Sequence, residues 1–526
     1  MNRLTNNLFY PRLFIQKIFL RFQSFSNHQF FYFPIILTIG MTLPLVAQNK
    51  KESTSDFQPL AGPMISYTGM REVQIWLQWD TNIHQITTST FNPHEKSTSS
   101  IQIQYKEKPS KSNSQPAVIT NSTQSNTMTN KNQTHIQNDS NFGNKILYQL
   151  TDSYTIDTRT GIVNIPVSLL EPGTRYEYKI FANNKEIKFN YPLEFKTKPL
   201  WQWRNNPPNV KFAIGSCNYV NEENYDRPGQ KWGKGFDIFE TIRKDQPEFF
   251  VWMGDNVYLR EADWDSQSGI LHRYSHTRQK KEMQAMLSSM FHLAIWDDHD
   301  FGPNDASSSY GLSNITESIF KDFWPNPSYP SKGIYRSYSW SDIEFFLLDN
   351  RTFRTANSNY YSKDRTALGK VQKEWLFNAL SDSKARVKFI VLGGQFINSA
   401  KVYENLSNYE EDREEILDFI QKMKIAGVIF LSGDRHHSEL SRLDRGNLYP
   451  IYEWTISPLT AGLSTTTESE PNQHRVKDSF VTERAYGLIE VEGIGKNRKI
   501  QFVTKNTFGK ELYRMEITIS NLEKVE

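Results

Sequence analysis

One cysteine, Cys217, stands in a chain of 526 residues, so no intramolecular disulfide can form and stability has to come from packed cores. Charge of one sign is equally scarce: 61 Lys and Arg against 58 Asp and Glu leave a formal +3, and the basic residues form no extended block. That excludes a basic nucleic-acid footprint. No cysteine follows the N-terminal apolar run and no twin arginine precedes it, which excludes a lipid-anchored start and a twin-arginine export signal. The sequence carries no signature of oligomeric state. It does have apolar residues, 37% with 13% aromatic, and at this length they imply two folded domains.

The first 29 residues contain Arg3, Arg12, Lys17 and Arg21 and no acid, and "FFYFPIILTIGMTLPLVAQ" follows as an apolar run. The pattern predicts a secretory signal peptide over residues 1–47, cut after Ala47, with an uncleaved N-terminal membrane anchor as the alternative. Either reading exports the remainder to a periplasmic, cell-surface or secreted location.

From about 58 to 198 short alternating runs such as "EVQIWLQW", "SIQIQYK" and "GIVNIPVSLL" predict a β-sandwich. "LLEPGTRYEYKI" is similar to the late turn and strand of fibronectin type III-like modules, with Tyr176 in a tyrosine-corner position. Within this first domain, residues 48–200, the polar stretch 106–142 has too little apolar surface to offset its ordering entropy and is expected to be a disordered insertion. After the proline-bearing linker "WQWRNNPPN" (201–209) come continuous apolar runs: "VKFAIGS", "EFFVWMG", "FHLAIWD", "IEFFLLD", "VKFIVLGG" and "GVIFLSG". These read as strands buried on both faces, with amphipathic helical stretches between them, so residues 210–515 form an α/β layered domain with a β-rich end. "FWPNPSYPSKGIYRSY" (323–338) reads as a lid over the site or as a packed connection.

Ligands of α/β sheets bind beyond the carboxyl ends of the strands, and the residues there carry the chemistry. Cys217, Asp255, Asn256, Tyr258, Asp297, Asp298, His299, Asp300, Asp349, Asn350, Arg351, Asp434, Arg435, His436 and His437 each follow an apolar run. Carboxylates gathered at the edge of an apolar core repel one another unless cations neutralise them, and His with a thiolate points to at least one transition metal. Each residue has a plainer alternative. Cys217 suits a small buried site, Tyr258 a core aromatic, Asp255 a turn or cap, and Asp297 or Asp300 a cap or salt-bridge member. Asp349 and Arg351 could pair with each other, and His437 could hydrogen-bond behind the site. Their coincidence at one end of successive strands favours a metal centre.

The motifs "GSC", "MGDNVY", "WDDHD", "LLDNR" and "SGDRHH", in this order, resemble the alkaline phosphatase D family of the calcineurin-like metallophosphatases over roughly residues 60–510. The resemblance implies a metallophosphatase-type layered β-sandwich core flanked by helices and preceded by an immunoglobulin-like sandwich. It implies phosphate ester hydrolysis with a ferric ion and calcium, and some members of the family cleave phosphodiesters, including lipid head groups. Carried over by motif, Cys217, Asp255 and Tyr258 would hold the ferric ion, with Asp255 bridging to a second metal. Asp298, Asp434 and His436 would complete the metal set, and His299 would contact the phosphoryl group. By the same resemblance Asn304 would stand in for an asparagine that follows the acidic motif in the family, though "FGPND" is a residue longer here, and "DHD" replaces the commoner "DHE". The missing twin arginine leaves room for another pair of divalent transition metals, such as zinc or manganese.

The expected mechanism is in-line attack by a metal-activated water on a phosphomonoester, with His299 assisting the leaving oxygen and Arg351 or Arg435 offsetting charge on the equatorial oxygens. Two rivals stand beside it: a phosphodiesterase or phospholipase acting on lipid or cell-wall diesters, and a cell-surface binding protein with a relict site, which the intact ligand set disfavours.

Overall fold

The structure, a computed structural model, describes residues 57–81, 99–109, 148–465 and 469–524. The expected signal peptide and nearly all of the expected insertion lie outside these residues. At the insertion's start, Lys106 and Glu107 belong to a strand and pair with Glu177 and Tyr176.

Among the described residues the strands follow in chain order. They are β1 (Ala61–Thr68), β2 (Glu72–Gln78), β3 (Ser100–Glu107), β4 (Gln149–Leu150), β5 (Tyr154–Thr155), β6 (Ile162–Ser168), β7 (Arg175–Ala182), β8 (Lys185–Ile187) and β9 (Glu194–Lys196), then β10 (Val210–Gly215), β11 (Phe249–Met253), β12 (Phe291–Ile295), β13 (Arg336–Trp340), β14 (Ile343–Leu347), β15 (Val387–Val391), β16 (Val428–Ser432), β17 (Glu439–Leu443), β18 (Ile451–Thr455), β19 (Ala485–Glu492), β20 (Lys499–Asn506) and β21 (Glu511–Thr518). A nine-stranded sheet runs β21-β20-β19-β10-β11-β12-β1-β2-β6, and a six-stranded sheet runs β13-β14-β15-β16-β18-β17. Their centres are parallel: β10, β11 and β12 in the first, β14, β15, β16 and β18 in the second. Every residue of β11, β12, β15, β16 and β18 is buried, as the continuous apolar runs require. Phe212 and Phe249 of the first sheet meet Phe345 of the second edge-on, with ring centroids 5.1 and 5.5 Å apart. The two sheets thus form a layered core.

The expected N-terminal strands divide between two sheets. Strands β3, β4, β5, β7, β8 and β9 make a sheet of their own, and there the backbone N–H of Glu171 donates to Tyr176 Oη at 2.8 Å, which is tyrosine-corner geometry. Strands β1, β2 and β6 instead continue the nine-stranded sheet, through parallel pairing of Ile65 with Phe291. Side chains reinforce the join: Trp76 Nε1 donates to Asp322 O (2.9 Å), Gln78 Nε2 to Ser275 Oγ (2.7 Å) and Tyr338 Oη to Thr68 O (2.6 Å). The linker between is pinned by the buried Arg498, which donates to Pro208 O at 2.8 Å and Asp342 Oδ1 at 2.7 Å. Strand periodicity reports which face of a strand is buried but not which strand it pairs with, so the shared sheet was not visible from the pattern. The 323–338 stretch is a packed connection, since Phe323, Trp324, Ile334, Tyr335 and Tyr338 are all buried.

Candidate metal centre

The parallel strands of both sheets end at the same edge of the core. Cys217 comes two residues after β10, Asp255 two after β11, Asp297 two after β12, Asn350 three after β14 and Asp434 two after β16. Tight turns make this convergence possible. Cys217, Asp255, Asp434 and His436 all have positive φ, at 60°, 51°, 67° and 55°. Non-glycine residues in this region cost on the order of 1 kcal/mol each and persist where a site needs them. Gly254 (φ 92°) allows the next step, because a Cβ there would stand 2.7 Å from Asp297 Cβ. The turns are also joined by backbone, with Cys217 N donating to Gly254 O (3.2 Å) and Asn218 N to Asp255 O (2.8 Å).

On one side the donors are mixed. Cys217 Sγ lies 3.6 Å from Asp255 Oδ2 and accepts from Ser457 Oγ at 3.1 Å. Tyr258 Oη is 3.1 Å from Asp255 Oδ2 and 3.0 Å from His436 Nε2. Ligand atoms of Cys217, Asp255 and His436 all lie within 4.8 Å of one another. On the other side the donors are mainly oxygen: Asp255, Asp298 and His299 make a second such group, and Asp297, Asp298 and Glu404 a third. Asp434 joins none of the three, although its carboxyl lies in the field of Asp297, Glu404 and Asp298. Asn304 is exposed. The structure therefore brings together Cys217, Asp255, Tyr258, Asp298 and His436 as the motifs imply, and adds His299 as a candidate ligand.

Two acids of the "WDDHD" stretch separate by role. Asp300 is a capping residue: it accepts from the backbone N–H groups of Asn256 (3.0 Å), Val257 (3.2 Å) and Asp297 (2.9 Å), tying the β11 and β12 turns together. Asp297 points the other way. Its Oδ1 accepts from Asn350 Nδ2 (2.8 Å) and Arg351 Nε (2.6 Å), while its buried Oδ2 has no partner. Asp349 does not pair with Arg351 through its side chain's charge; it accepts from Trp296 Nε1 (2.8 Å) and from the backbone of Arg351, Thr352 and Ile334. His437 is buried behind the site, 3.8 Å from Glu439.

The two arginines differ from the expectation that they face a phosphoryl group. Arg351 is fully buried, and all five of its N–H donors are committed to Asp297, Glu404 and Ala306 O. Arg435 is held by Glu470 (2.6 Å) and Gln395 (2.7 Å) under the ring of Tyr403. Residue type and position could not reveal this, because the acids that capture them, Glu404 and Glu470, sit in loops with no strand-end signal.

Electrostatics show what the site wants. Burial, and then neighbouring carboxylates, push the Cys217 thiol, the Asp255 carboxyl and the Tyr258 phenol well above their ordinary ranges. Burial raises Asp297 to about 6 against the pull of Arg351, and lowers His436 to about 4. Asp298 is the exception: burial pushes it up, but His299 and Arg351 hold it at about 2. Groups arranged in this way keep their protons unless positive charge is supplied among them. Buried Asp255 Oδ1 and Asp297 Oδ2, both without a hydrogen-bond partner, are the oxygens such a cation would satisfy. The donor set fits metal ions.

Comparison with known proteins agrees with this geometry. Alkaline phosphatase D of Bacillus subtilis is 24% identical over 338 residues, covering 56% of this chain and 56% of the relative, so the chain spans little more than half the length of the curated relative it matches. A solved structure of PhoD superposes with a TM-score of 0.62 at 17% identity, covering 88% of this chain and 90% of that one. Purple acid phosphatase PPD1 from yellow lupin seeds superposes with a TM-score of 0.54 at 12% identity, covering 87% of this chain and 74% of that one. These two likenesses establish a metallophosphatase-type fold. The family description "PhoD-like phosphatase" matches residues 212–512, the span that supplies every strand end of the site, and the chain belongs to that family.

Proposed function

We propose that this protein is an exported, metal-dependent hydrolase of phosphomonoesters. The observation that carries the reading is the pair of buried, unpartnered carboxylate oxygens, Asp255 Oδ1 and Asp297 Oδ2, on residues that belong to chemically different donor groups. Thiol, phenol and imidazole from Cys217, Tyr258 and His436 suit a ferric ion, whereas the oxygen-rich side of Asp297 and Asp298 suits a harder cation such as calcium, with Asp434 nearby in support. Bound cations would polarise the phosphoryl oxygens and acidify a water.

The chain's own residues do the rest. Asp255 belongs to two of the three candidate groups, that of Cys217 and His436 and that of Asp298 and His299, and would bridge them. His299 is only half-buried, its ring lies against Tyr258 at a tilt of 32° with centroids 4.4 Å apart, and its Nδ1 has no protein partner. It is the imidazole available to hold a proton for the leaving oxygen. Arg351 and Arg435 act from behind, by fixing carboxylates, and the charge on the equatorial oxygens would fall to bound cations and His299. Export rests on residues 1–47; among the described residues, no helix is long and apolar enough to cross a membrane.

Elemental analysis of purified protein, combined with rates on a matched phosphomonoester and phosphodiester, tests the reading. Iron with calcium and a faster monoester rate is expected. Full activity in metal-free protein, or a preference for the diester, refutes it.

A further inference from the structure

Behind the oxygen-rich side of the site lies a buried ionic network that the proposed reaction does not use directly. Glu404 is 3% exposed and receives Arg351 on both carboxylate oxygens, through Nη1 on Oε1 (2.8 Å) and Nη2 on Oε2. The same Oε1 accepts from Asn357 Nδ2 at 2.9 Å and lies 3.4 Å from Arg354 Nη2. Asn357 Oδ1 in turn accepts from Tyr409 Oη at 2.7 Å and Arg354 Nη2 at 3.0 Å. Arg351 reaches the site at its other end, placing Nε and Nη2 on Asp297 Oδ1.

The arrangement gives one guanidinium two carboxylates. A buried guanidinium facing Asp297 alone would form a closed neutral pair, and a cation approaching Asp297 would have to compete with it. With Glu404 on its far edge, Arg351 is already neutralised and is held in one orientation, so that it engages Oδ1 of Asp297 and leaves Oδ2 bare. We propose that Glu404 is a positioning residue for the cation on the Asp297 side: it acts through Arg351, both by dividing the guanidinium's charge and by fixing which oxygen of Asp297 is offered. The inference rests on the reading that Asp297 faces a cation.

The test uses as-purified protein and the Glu404→Gln variant, which keeps shape and removes one charge. The metal retained is measured by elemental analysis after dialysis against graded EDTA, together with kcat, KM and activation by added manganese(II). Glu404→Gln should lose metal at roughly tenfold lower EDTA, the usual size of effect for a residue that orients a ligand. Its kcat should recover with added manganese(II), which a merely structural defect would not allow. In a double-mutant cycle, Arg351→Met with Glu404→Gln should hold metal no less tightly than Arg351→Met alone, because the charge through which Glu404 acts is gone. Asn357→Ala supports the test should Arg351→Met fail to fold. It retains every charge, loosens Glu404 and should shift metal retention in the same direction by a smaller factor.

Additive losses in the cycle would make Glu404 a direct ligand and overturn the proposal. So would a lowered melting temperature with unchanged metal retention in Glu404→Gln or in Asn357→Ala. A wild-type protein that holds no metal and hydrolyses no ester would instead defeat the function proposed above; one that holds metal and is indifferent to Glu404 defeats only this inference.

Discussion

Gly393 offers a single-methyl probe of the site. It follows β15 by two residues, and a Cβ placed there would overlap Asp297 Oδ2 and Cγ and stand 2.8 Å from Asn350 Nδ2. Its backbone needs no positive φ, so alanine acts through the added volume alone. Asp297 cannot simply rotate away, because its Oδ1 is held by Asn350 and by two donors of Arg351. Breaking one such charged hydrogen bond costs about 1.5–3 kcal/mol, and overpacking a dense core costs about 1–3 kcal/mol, so the destabilisation should be about 2 kcal/mol. At this chain length that is a melting shift of only a few degrees. The functional effect should be larger: displacing a reacting or ligating group by about 1 Å can cost on the order of a hundredfold. Gly393→Ala should therefore lower kcat/KM on a soluble monoester by roughly one to two orders of magnitude and reduce the metal retained, while still melting cooperatively. Gly311→Ala, where a Cβ meets nothing within 4 Å, is the matched control and should be silent. Wild-type kcat/KM and metal content in a folded Gly393→Ala protein would show that Asp297 Oδ2 has no part in the site.

Three further outcomes are expected. Tyr258→Phe removes the hydroxyl shared by Asp255 and His436, and if iron is present it should shift or bleach a visible charge-transfer band; a colourless, fully active zinc or manganese protein would eliminate the iron assignment. His299→Ala should lower kcat about a hundredfold with metal retained, and less for nitrophenyl esters than for alkyl esters. Metal lost in proportion to activity would instead make His299 a ligand beside Asp255 and Asp298. Away from the site, burial and then Arg278 hold His292 down at about 3, and its Nδ1 accepts from Trp252 Nε1 at 3.1 Å. The unfolded chain takes up this proton near pH 6.5 and the folded chain does not, so stability should fall as pH drops from about 6.5 toward 3, by up to about 1.4 kcal/mol per unit. His292→Gln should flatten that part of the pH–stability curve, and denaturant melts with an unchanged slope would count against the assignment.

The placement of a side chain is legible in the sequence where a polar residue sits at a fixed offset from a buried strand. "AIGSC", "WMGDN" and "AIWDD" each put their polar residue directly after an apolar run, and the parallel strands carried them to one edge. Orientation is not legible where it depends on a partner far along the chain. Arg351 follows its strand as regularly as Asp298 does, yet Glu404, 53 residues later, turns it inward. Glu404 itself lies in "KVYENLSN", well past the end of β15, where nothing in periodicity or motif marks an acid as buried. Asp297 and Asp300 looked equivalent as neighbours of Asp298; Asp297 sits at the N-cap position of Asp298–Phe301 with its Oδ1 taken by Asn350 and Arg351, whereas three backbone N–H groups converge on Asp300.

The join between β1 and β12 bears on how far this chain can be taken apart. A fragment beginning at the linker would keep every motif of the site and yet strip β12 of its neighbour, leaving Phe291 to Ile295, apolar apart from His292, as an open strand edge. Such an edge recruits other chains. The 57–81 and 162–168 segments therefore serve the 210–515 half as a built-in edge guard, and grafting that half onto another protein would succeed only if those two non-contiguous pieces travelled with it.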